Sequence, residues 1–533
     1  MSPVHKLIPL LTATALGLAS LAACGTGSGT DSGAGTAAPA GSSERAEDSL
    51  VLALGDFTEA EFDPRRGWGG HNEHYVTHSS LLRWDSHEQI VPDLASSYEH
   101  EGTTYTFTLN PDYRFSDGTP ITARDVAFTY DMLKKDGVAF DLSNVESVTA
   151  PDDHTVVIEL GIPDSTFLPL STQIAIVPAD TYGDDYSADP VSSGPYHVVD
   201  FQRGEQVIME ANPYYPAELK YKKLTFLLSD TDAAIAATRA GDVDVTYVDA
   251  GMDLPEIDGM RIENFESVEN LGLTLPTEPP GGSSTTMDVD VTTGNKVTAD
   301  PAIRRALNLG LDRQEIVDLV LGGDGVPSSS VSDGLPWHGP EVTENLDEAK
   351  DMLADAGWRD SNNDGTVDKD GVEAVIPLMY TTTDQARVDM AAAVTAQSEE
   401  NLGIRFTPVP ATWDDIYVDG KTSAVVFALG SLSPKEVLDS YHSHSRGIGY
   451  NNMPDYANPQ VDALLDQARA TPLEESTQLW ADAQAAASDD APYVWLMRRD
   501  HVYYVSDSVD LGDQPLHGHG HGLQIFQNVE QWR

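Results

Sequence analysis

The sequence predicts an α/β protein whose chain is divided between at least two lobes. Its 533 residues are more than one hydrophobic core organises in a single domain. Between Val191 and Val245, apolar strand patterns alternate with a helical pattern, as is typical of α/β folds. A run rich in proline, glycine, serine and threonine follows from Pro276 to Thr298, and this change in composition indicates a lobe boundary.

The segment between Val191 and Val245 contains a turn, three strands, a helix and the start of another strand. The turn is indicated by Ser192-Ser193-Gly194-Pro195. The strands are predicted at 196–199, 206–209 and 224–228. Pro213 ends the second strand because proline cannot donate to a strand ladder. The helix begins at a cap within residues 230–232 and ends at Gly241.

Strand and helix signals also precede this segment. Leu50–Leu54 is apolar and is followed by a glycine, which suits a buried first strand. Tyr105–Leu109 alternates between polar and apolar residues, as a half-buried strand does. Thr122 and Asp125 have the spacing of a capping box and predict the start of a helix. A further helix is predicted at Val76–Leu82.

The N-terminal residues have the pattern of a bacterial export signal. The apolar stretch Leu7–Leu18 follows Lys6 and is too short to cross a bilayer comfortably. Leu21-Ala22-Ala23-Cys24 then resembles a lipobox, the cleavage motif of bacterial lipoproteins. The resemblance implies a signal peptide at 1–23 and an acylated Cys24 that anchors the protein to the outer face of the cell membrane. Residues 24–49 are expected to form a flexible tether, since Gly, Ser, Thr and Ala bury no core.

The composition argues against several classes of function. A formal net charge of −55 repels nucleic-acid phosphates and anionic lipid surfaces. Such a surface is typical of proteins that work in high salt or at high pH, and a surface that gathers cations is the alternative. The sequence has no Gly-x-Ser-x-Gly motif, Walker loop or His-Glu-x-x-His motif, and its single cysteine is Cys24. We therefore expect no enzyme activity and no required cofactor.

Four segments together resemble one protein family. They are 191–245, the sequence RFSDGTPITARDV at 114–126, the helix that Asp300-Pro301 opens, and Tyr456–Leu465. Their order resembles that of the extracytoplasmic solute-binding proteins of the peptide/nickel type, family 5, which feed ABC importers. The second-lobe helix departs slightly from the family pattern, since Ile303 and Gly310 stand where valine and alanine are usual.

The resemblance implies a bilobal periplasmic-binding-protein-like fold of type II, similar to cluster C, with a hinge and a central ligand cleft. Lobe 1 is expected at residues 50–275, completed by 500–533, and lobe 2 at 276–499. The chain is expected to cross between them near Gly272–Pro276 and Pro492–Asp500. The implied mechanism is closure over a small ligand, which a membrane permease and its ATPase then receive. The protein is expected to be an extracytoplasmic monomer.

The strand end at Val425–Pro434 bears on the identity of the ligand. In peptide-binding relatives this position carries an aromatic residue and an aspartate that pairs with the amino terminus of the peptide. Here Leu429 and Ser431 replace them. A buried ammonium without a carboxylate partner is costly, so the replacement argues against peptides with a free amine, unless water or other acids compensate.

Histidines cluster at two places after that strand. His442 and His444 follow it directly, and His517, His519 and His521 alternate with glycine near the C-terminus. In an extended segment, residues i and i+2 point the same way about 7 Å apart, and neutral imidazole binds nickel, copper or zinc well. The tail is therefore either a metal site or a surface loop without metal. This ending resembles the His-Gly endings of relatives of the nickel type, which implies a metal-binding role by resemblance alone.

The expected cleft residues combine aromatic side chains with histidines. They are Trp68, His71, His74, Trp413, Tyr417, His442 and His444. Three functions stay open, of which the first is favoured: a receptor for nickel or a related transition-metal chelate. The second is an oligopeptide or dipeptide receptor, and the third is a surface receptor without a role in transport.

Overall fold

The computed structural model describes residues 46–55, 57–58, 62–66, 73–136, 140–286, 289–519 and 522–533, with the backbone alone described at 73, 74 and 286. Contacts divide the chain into Met1–Ala46 and Glu47–Arg533, and every element below belongs to the second unit. The predicted signal peptide and Cys24 lie outside the described residues.

The strands of the described residues form two large sheets, one small sheet and three hairpins. In chain order they are β1 (Ser49–Ala53), β2 (Leu82–Trp84), β3 (Ile90–Pro92), β4 (Ala95–Glu101), β5 (Thr104–Leu109), β6 (Val145–Asp152), β7 (Thr155–Leu160), β8 (Tyr196–Gln202), β9 (Gln206–Ala211), β10 (Lys223–Leu227), β11 (Val245–Val248), β12 (Met260–Phe265), β13 (Asn270–Thr274), β14 (Gly282–Thr286), β15 (Val289–Thr293), β16 (Gly325–Pro327), β17 (Asp368–Lys369), β18 (Val372–Glu373), β19 (Val375–Tyr380), β20 (Arg405–Pro410), β21 (Ala424–Leu429), β22 (Tyr493–Arg499) and β23 (His501–Ser506).

The α-helices are distributed over the whole described chain. They are α1 (Ala123–Asp136), α2 (Phe167–Ser171), α3 (Thr231–Ala240), α4 (Pro301–Gly310), α5 (Arg313–Val320), α6 (Leu346–Asp355), α7 (Gln385–Leu402), α8 (Trp413–Asp419), α9 (Lys435–Tyr441), α10 (Pro459–Arg469) and α11 (Leu473–Ser488). Short 3-10 helices occur at Glu73–Val76, Tyr186–Ala188, Ser443–Ser445 and Leu523–Gln531.

Lobe 1 contains the larger of the two main sheets. Its seven strands follow the order β12-β23-β11-β1-β10-β9-β8. β1 pairs in parallel with β10 and β11, and the other neighbours are antiparallel. The small antiparallel sheet β4-β5-β7-β6 is inserted between β1 and β8, and α1 packs on it. Most apolar residues of the two sheets form two separate buried clusters, whereas Val248, Val502 and Tyr504 of the larger sheet join a cluster that extends into lobe 2.

Lobe 2 contains the second main sheet, with helices on both faces. Its six strands follow the order β16-β22-β13-β21-β19-β20, and β19 pairs in parallel with β20 and β21. Helices α4 to α7 contribute to one buried cluster and α8 to α11 to another, on the opposite face of the sheet. This layering of helices on both faces of a mixed sheet is an α/β architecture, as predicted.

The chain crosses between the two main sheets at two adjacent points. The first crossing lies between Phe265 and Asn270, and the predicted position at 272–276 is too late because β13 already pairs with β21 and β22. The second lies between Arg499 and His501, within the predicted range. Phe265 pairs with His501, so the crossings run side by side in opposite directions. Two short, neighbouring connections are the arrangement of a hinge.

Most local predictions are confirmed where they concern a side chain that caps a helix in its own segment of the chain. The Asp230 carboxylate accepts the N–H of Ala233 at the start of α3, and Gly241 ends that helix at φ +80°. Asp300 caps α4. The Thr122 N–H donates to the Asp125 carboxylate at 2.8 Å, as the capping-box spacing predicts.

The helix predicted at Val76–Leu82 is wrong. Its first residue ends a 3-10 turn and its last begins β2, with non-helical backbone between them. The backbone N–H groups of Ser79 and Ser80 donate instead to side chains of Ser193 and Asp93, which are far away in sequence. Tertiary partners thus satisfy these backbone groups without a helix and override the local pattern.

Among the described residues, none of the helices combines the length and the apolar character needed to cross a bilayer.

Candidate functional site

The C-terminal tail packs directly against the two crossings. The backbone N–H of Val268 donates to the carbonyl of His517 at 2.8 Å, and the His517 N–H donates to the carbonyl of Glu266. Two residues later, the N–H of His519 donates to the carbonyl of Gly430, just after β21. The tail therefore connects the first crossing with the end of a central strand of lobe 2.

Glu269 lies at the centre of this junction. Its side chain is 0% exposed and sits directly before β13. Nη2 of Arg499 donates to its carboxylate at 2.7 Å, Nε2 of His501 lies 3.2 Å away, and Nδ1 of His519 lies 2.9 Å away. A buried carboxylate is tolerated only when it is paired, and the second crossing and the tail supply the partners.

The charges continue from Glu269 towards α7 and α8. Nη1 of Arg499 donates to Asp384, which caps α7, at 3.0 Å. Nε of Arg387 donates to the same carboxylate oxygen at 3.3 Å, and its guanidinium lies 5.0 Å from the centroid of the Trp413 ring. We call Glu269, Arg499, Asp384 and Arg387 the junction network. It alternates in sign and its formal charges sum to zero.

Each member of the junction network affects the pKa values of the others. Burial alone would raise the pKa of Glu269, but Arg499 and the neighbouring histidines hold it well below its usual value. Burial would lower the pKa of Arg499, but Asp384 and Glu269 raise it well above the usual value. The pKa of Asp384 is lowered in the same way, because Arg499 and Arg387 outweigh its burial. The network consequently remains ionised at neutral pH.

His501 and His517 form a buried imidazole pair beside Glu269. Their Nδ1 atoms are 3.0 Å apart. Burial lowers the pKa of both rings, and that of His517 falls well below its usual value. Because ionised Glu269 is an acceptor, a neutral His501 donates from Nε2 and accepts at Nδ1 from His517. These two nitrogens of His501 and Nδ1 of His517 are thus engaged within the protein.

The predicted metal ligands of the tail have different surroundings. His517 is 0% exposed, and its Nε2 lies 3.4 Å from Oε1 of Gln514. His519 is paired with Glu269, and His521 lies outside the described residues. Across the part of the chain that the structure describes, no three His, Cys, Asp or Glu side chains are grouped so that they could hold a metal ion.

Trp413 and Tyr417 belong to an aromatic wall on lobe 2. They lie on α8, which Thr412 and Asp415 open with a capping box. The Tyr450 ring makes edge contacts with both, with centroids 5.3 Å from Trp413 and 5.2 Å from Tyr417. Trp413 is only half-buried, so part of its ring reaches the surface beside Arg387.

Lobe 1 contributes Tyr247 and Asp249 at the end of β11. The Tyr247 ring meets the His501 ring edge-on, with centroids 5.8 Å apart. Burial raises the pKa of Asp249, Asp384 raises it further, and Arg499 partly opposes the shift. The hydroxyl of Thr231 donates to the Asp249 carboxylate over a long distance of 3.4 Å. Asp249 is therefore a half-buried acid of lobe 1 with one long hydroxyl contact, and its pKa depends on Asp384 and Arg499 of the junction network.

His442 and His444 are positioned by α10. Nδ1 of His442 accepts the backbone N–H of His444 at 2.9 Å, and its Nε2 lies 3.5 Å from Asp466. The two rings are 6.3 Å apart, and His444 is exposed. Trp68 and His71 lie outside the described residues, and for His74 the backbone alone is described, within a 3-10 turn.

The two residues that bear on peptide binding lie next to the tail. Leu429 ends β21 and pairs with Asn270. The hydroxyl of Ser431 accepts the N–H of Ser433. Gly430 between them packs on the first crossing so closely that an added Cβ would lie 2.3 Å from the carbonyl oxygen of Val268. This strand end is thus part of the junction as well as of lobe 2.

Sequence reasoning missed the whole junction network. The run Arg498-Arg499-Asp500-His501 at the end of an apolar strand was a usable signal, because charged residues are rarely buried unless they are paired. Nothing local marked Glu269, Asp384 or Arg387 as their partners.

Comparison with known proteins gives a consistent assignment. The family model described as "Bacterial extracellular solute-binding proteins, family 5 Middle" matches residues 89–448. Protein XP55 of Streptomyces lividans is 32% identical over 495 residues, covering 88% of this chain and 87% of the relative. The oligopeptide-binding protein AppA of Bacillus subtilis is 26% identical over 494 residues, covering 86% of each chain.

Solved structures share the fold. NikZ from Campylobacter jejuni in complex with Ni(L-His) superposes with a TM-score of 0.77 at 22% identity, covering 91% of this chain and 99% of that one. The two lobes, the paired crossings and the match over 89–448 lead to one conclusion: this chain belongs to the bacterial extracellular solute-binding proteins of family 5, the binding components of ABC importers.

Proposed function

We propose that this protein captures a short peptide with a free amino terminus between its two lobes and delivers it to an ABC permease. The main support is Asp249, a half-buried carboxylate on lobe 1 with one long hydroxyl contact and a pKa that Asp384 raises. An ammonium group would relieve the repulsion between Asp249 and Asp384. Asp249 then supplies the acid that Ser431 does not.

The junction network carries no net formal charge, and this supports the assignment of a peptide ligand. Its two cations and two anions are already paired, so it attracts neither a net cation nor a net anion strongly. The aromatic wall offers the half-buried Trp413 ring for an apolar side chain of the ligand. A ligand that touches Asp249 on lobe 1 and Trp413 on lobe 2 binds the closed state better than the open one, which drives closure.

The nickel chelate favoured by the sequence is the second candidate. It receives less support because Nδ1 of each described tail imidazole already contacts a protein group: that of His517 contacts His501, and that of His519 contacts Glu269. A metal bound mainly by an organic chelator would need fewer protein ligands, which keeps this candidate testable. Peptide transport also agrees with the name of AppA, the 26% identical relative.

Titration calorimetry on the full chain separates the candidates. The ligands are a defined set of tri- to nonapeptides, the same peptides with acetylated amino termini, and Ni²⁺ with L-histidine. We expect free peptides to bind, and acetylation or Asp249→Asn to weaken binding about tenfold or more, as the loss of one charge-assisted contact does.

The matched control is Asp253→Asn, which removes the same charge from an exposed site four residues away and is expected to leave binding unchanged. Heat with nickel and histidine but none with any peptide would contradict the peptide proposal. Equal binding of free and acetylated peptides would contradict the role of Asp249.

A further inference from the structure

A second contact between the lobes lies away from the crossings, between the small sheet of lobe 1 and α10 of lobe 2. The backbone N–H of Ser165 donates to the carbonyl of Arg469 at 2.8 Å. Its hydroxyl donates to the carbonyl of Ala468 at 3.3 Å. Ser165 is 8% exposed, so this contact is buried. The last carbonyls of a helix have no partner within the helix, and here another lobe supplies donors for two of them.

The donor turn is rigidly shaped before it meets the helix. The Asp164 carboxylate accepts the N–H of Thr166 at 3.0 Å and its hydroxyl at 2.7 Å. The other carboxylate oxygen accepts the side-chain amide of Asn144 at 3.1 Å. The Tyr105 hydroxyl donates to the Asp164 carbonyl at 3.4 Å. Because these bonds lie within lobe 1, the turn is ordered before it contacts α10, and the contact costs little further conformational entropy.

Opposite charges face each other at the same place. Lys435, at the start of α9, donates to both oxygens of Asp439 at 2.6 and 2.8 Å. Burial would lower the pKa of Lys435, but Asp439 and then Asp141 and Asp164 of lobe 1 raise it. The same two carboxylates raise the pKa of Asp439, so lobe 1 favours the charge of Lys435 and disfavours that of its bonded partner.

A third contact accompanies these two. Trp84 of the β2–β3 hairpin is buried within the cluster formed by α8 to α11, and Ile90 packs beside it. The hairpin belongs to the lobe 1 part of the chain, whereas the cluster belongs to lobe 2. Polar, electrostatic and apolar contacts thus join the lobes far in sequence from the hinge.

We propose that Ser165, Lys435 and the end of α10 form a closure latch that holds a fraction of the protein closed without any ligand. Opening the cleft about the two crossings separates the small sheet from α10, which leaves the carbonyl of Arg469 to water and that of Ala468 with the N–H of Thr471 alone. The latch contributes to the closed state only, so it adds to the affinity for any ligand that needs closure.

The test measures lobe separation without ligand and so does not depend on the peptide proposal. Spin labels are placed at His154→Cys on the small sheet and Gln478→Cys on α11, both exposed. The full-length protein carries Cys24→Ser, which removes the single native cysteine. Pulsed electron spin resonance then gives the distribution of distances between the labels.

We expect a short-distance population in the parent protein. The double variant Ser165→Ala with Lys435→Met should reduce this population about three- to tenfold, because it loses one hydrogen bond and a partly screened charge pair. A variant that carries Lys435→Arg and keeps the native Ser165 retains the cation. We expect it to show the same short-distance population as the parent protein.

Lys350→Met is the matched control, because it removes a lysine from the exposed face of α6. Circular dichroism verifies that every variant is folded. Identical distance distributions for the latch variant and the Lys350→Met control would overturn the proposal, as would a parent protein without any short-distance population.

Discussion

Arg499 carries the largest share of the charge balance at the crossings, so its removal is the most informative perturbation. Arg499→Met retains the length and apolar body of the side chain but leaves Glu269 and Asp384 without their common cation. Glu269 is fully buried. Removing one partner of a buried ion pair costs about 3–5 kcal/mol, and here Glu269 retains only imidazole contacts while Asp384 retains only Arg387.

This cost converts into a measurable melting temperature. For a cooperative unit of roughly 250 residues, 1 kcal/mol corresponds to about 2 °C. The variant is therefore expected to melt about 6–10 °C below the parent at pH 7.5 in differential scanning calorimetry. Arg405→Met is the control, because that arginine and its partner Glu399 are both exposed and such pairs contribute about 1 kcal/mol or less.

The pH dependence distinguishes an unpaired charge from a packing defect. In the parent, the lowered pKa of Glu269 gives stability that is present at neutral pH and is lost as the pH falls through that lowered value. In the variant, burial without the cation raises the pKa, so stability is lost as the pH rises. The two melting temperatures should approach each other between pH 7.5 and pH 5. A gap below 2 °C at pH 7.5, or one that does not change with pH, would refute the reasoning.

Two further changes test local parts of the fold. Asp300→Ala removes the cap of α4 together with contacts from Trp358 at 2.9 Å and Lys369 at 2.7 Å, and we expect a loss of about 2–3 kcal/mol in urea unfolding; a loss below 0.5 kcal/mol would contradict this role. Burial lowers the pKa of His78 from 6.5 to about 3, so its stabilising contribution is present above pH 6.5 and is lost as the pH falls towards 3. His78→Gln should therefore flatten the pH dependence of stability between pH 6.5 and 4, and an unchanged slope would assign that dependence to other groups.

The sequence predicted those features that one segment determines by itself. Asp230 and Asp300 cap their helices because a carboxylate bonds to N–H groups two or three residues away. The family motifs at 114–126 and 300–313 likewise identified the family and the fold class. Such interactions recur wherever the same residues follow one another, so they can be recognised without coordinates.

The junction network could not be predicted in the same way, because its partners are far apart in the chain. Arg499 is 115 residues from Asp384 and 230 residues from Glu269. The position of the tail could not be predicted either. A backbone β-bridge joins His517 to Ser267, and no pattern of side chains encodes such a bridge. Composition alone therefore left a metal site and a surface loop without metal as alternatives, whereas the described part of the tail packs on the crossings.

Asp384 connects the second crossing with the aromatic wall, so a movement at one should affect the other. One of its oxygens accepts from both Arg499 and Arg387, and Arg387 stacks on Trp413. A shift of Arg499 at the second crossing changes the electrostatic hold on Asp384 and, through it, the position of the guanidinium over the tryptophan ring. Such coupling needs no moving element between the two sites, because the four charged groups are in direct contact and a low-dielectric setting makes each dependent on the next. The protein thus has a physical route by which rotation at the hinge is felt on the lobe 2 surface that we assign to the ligand.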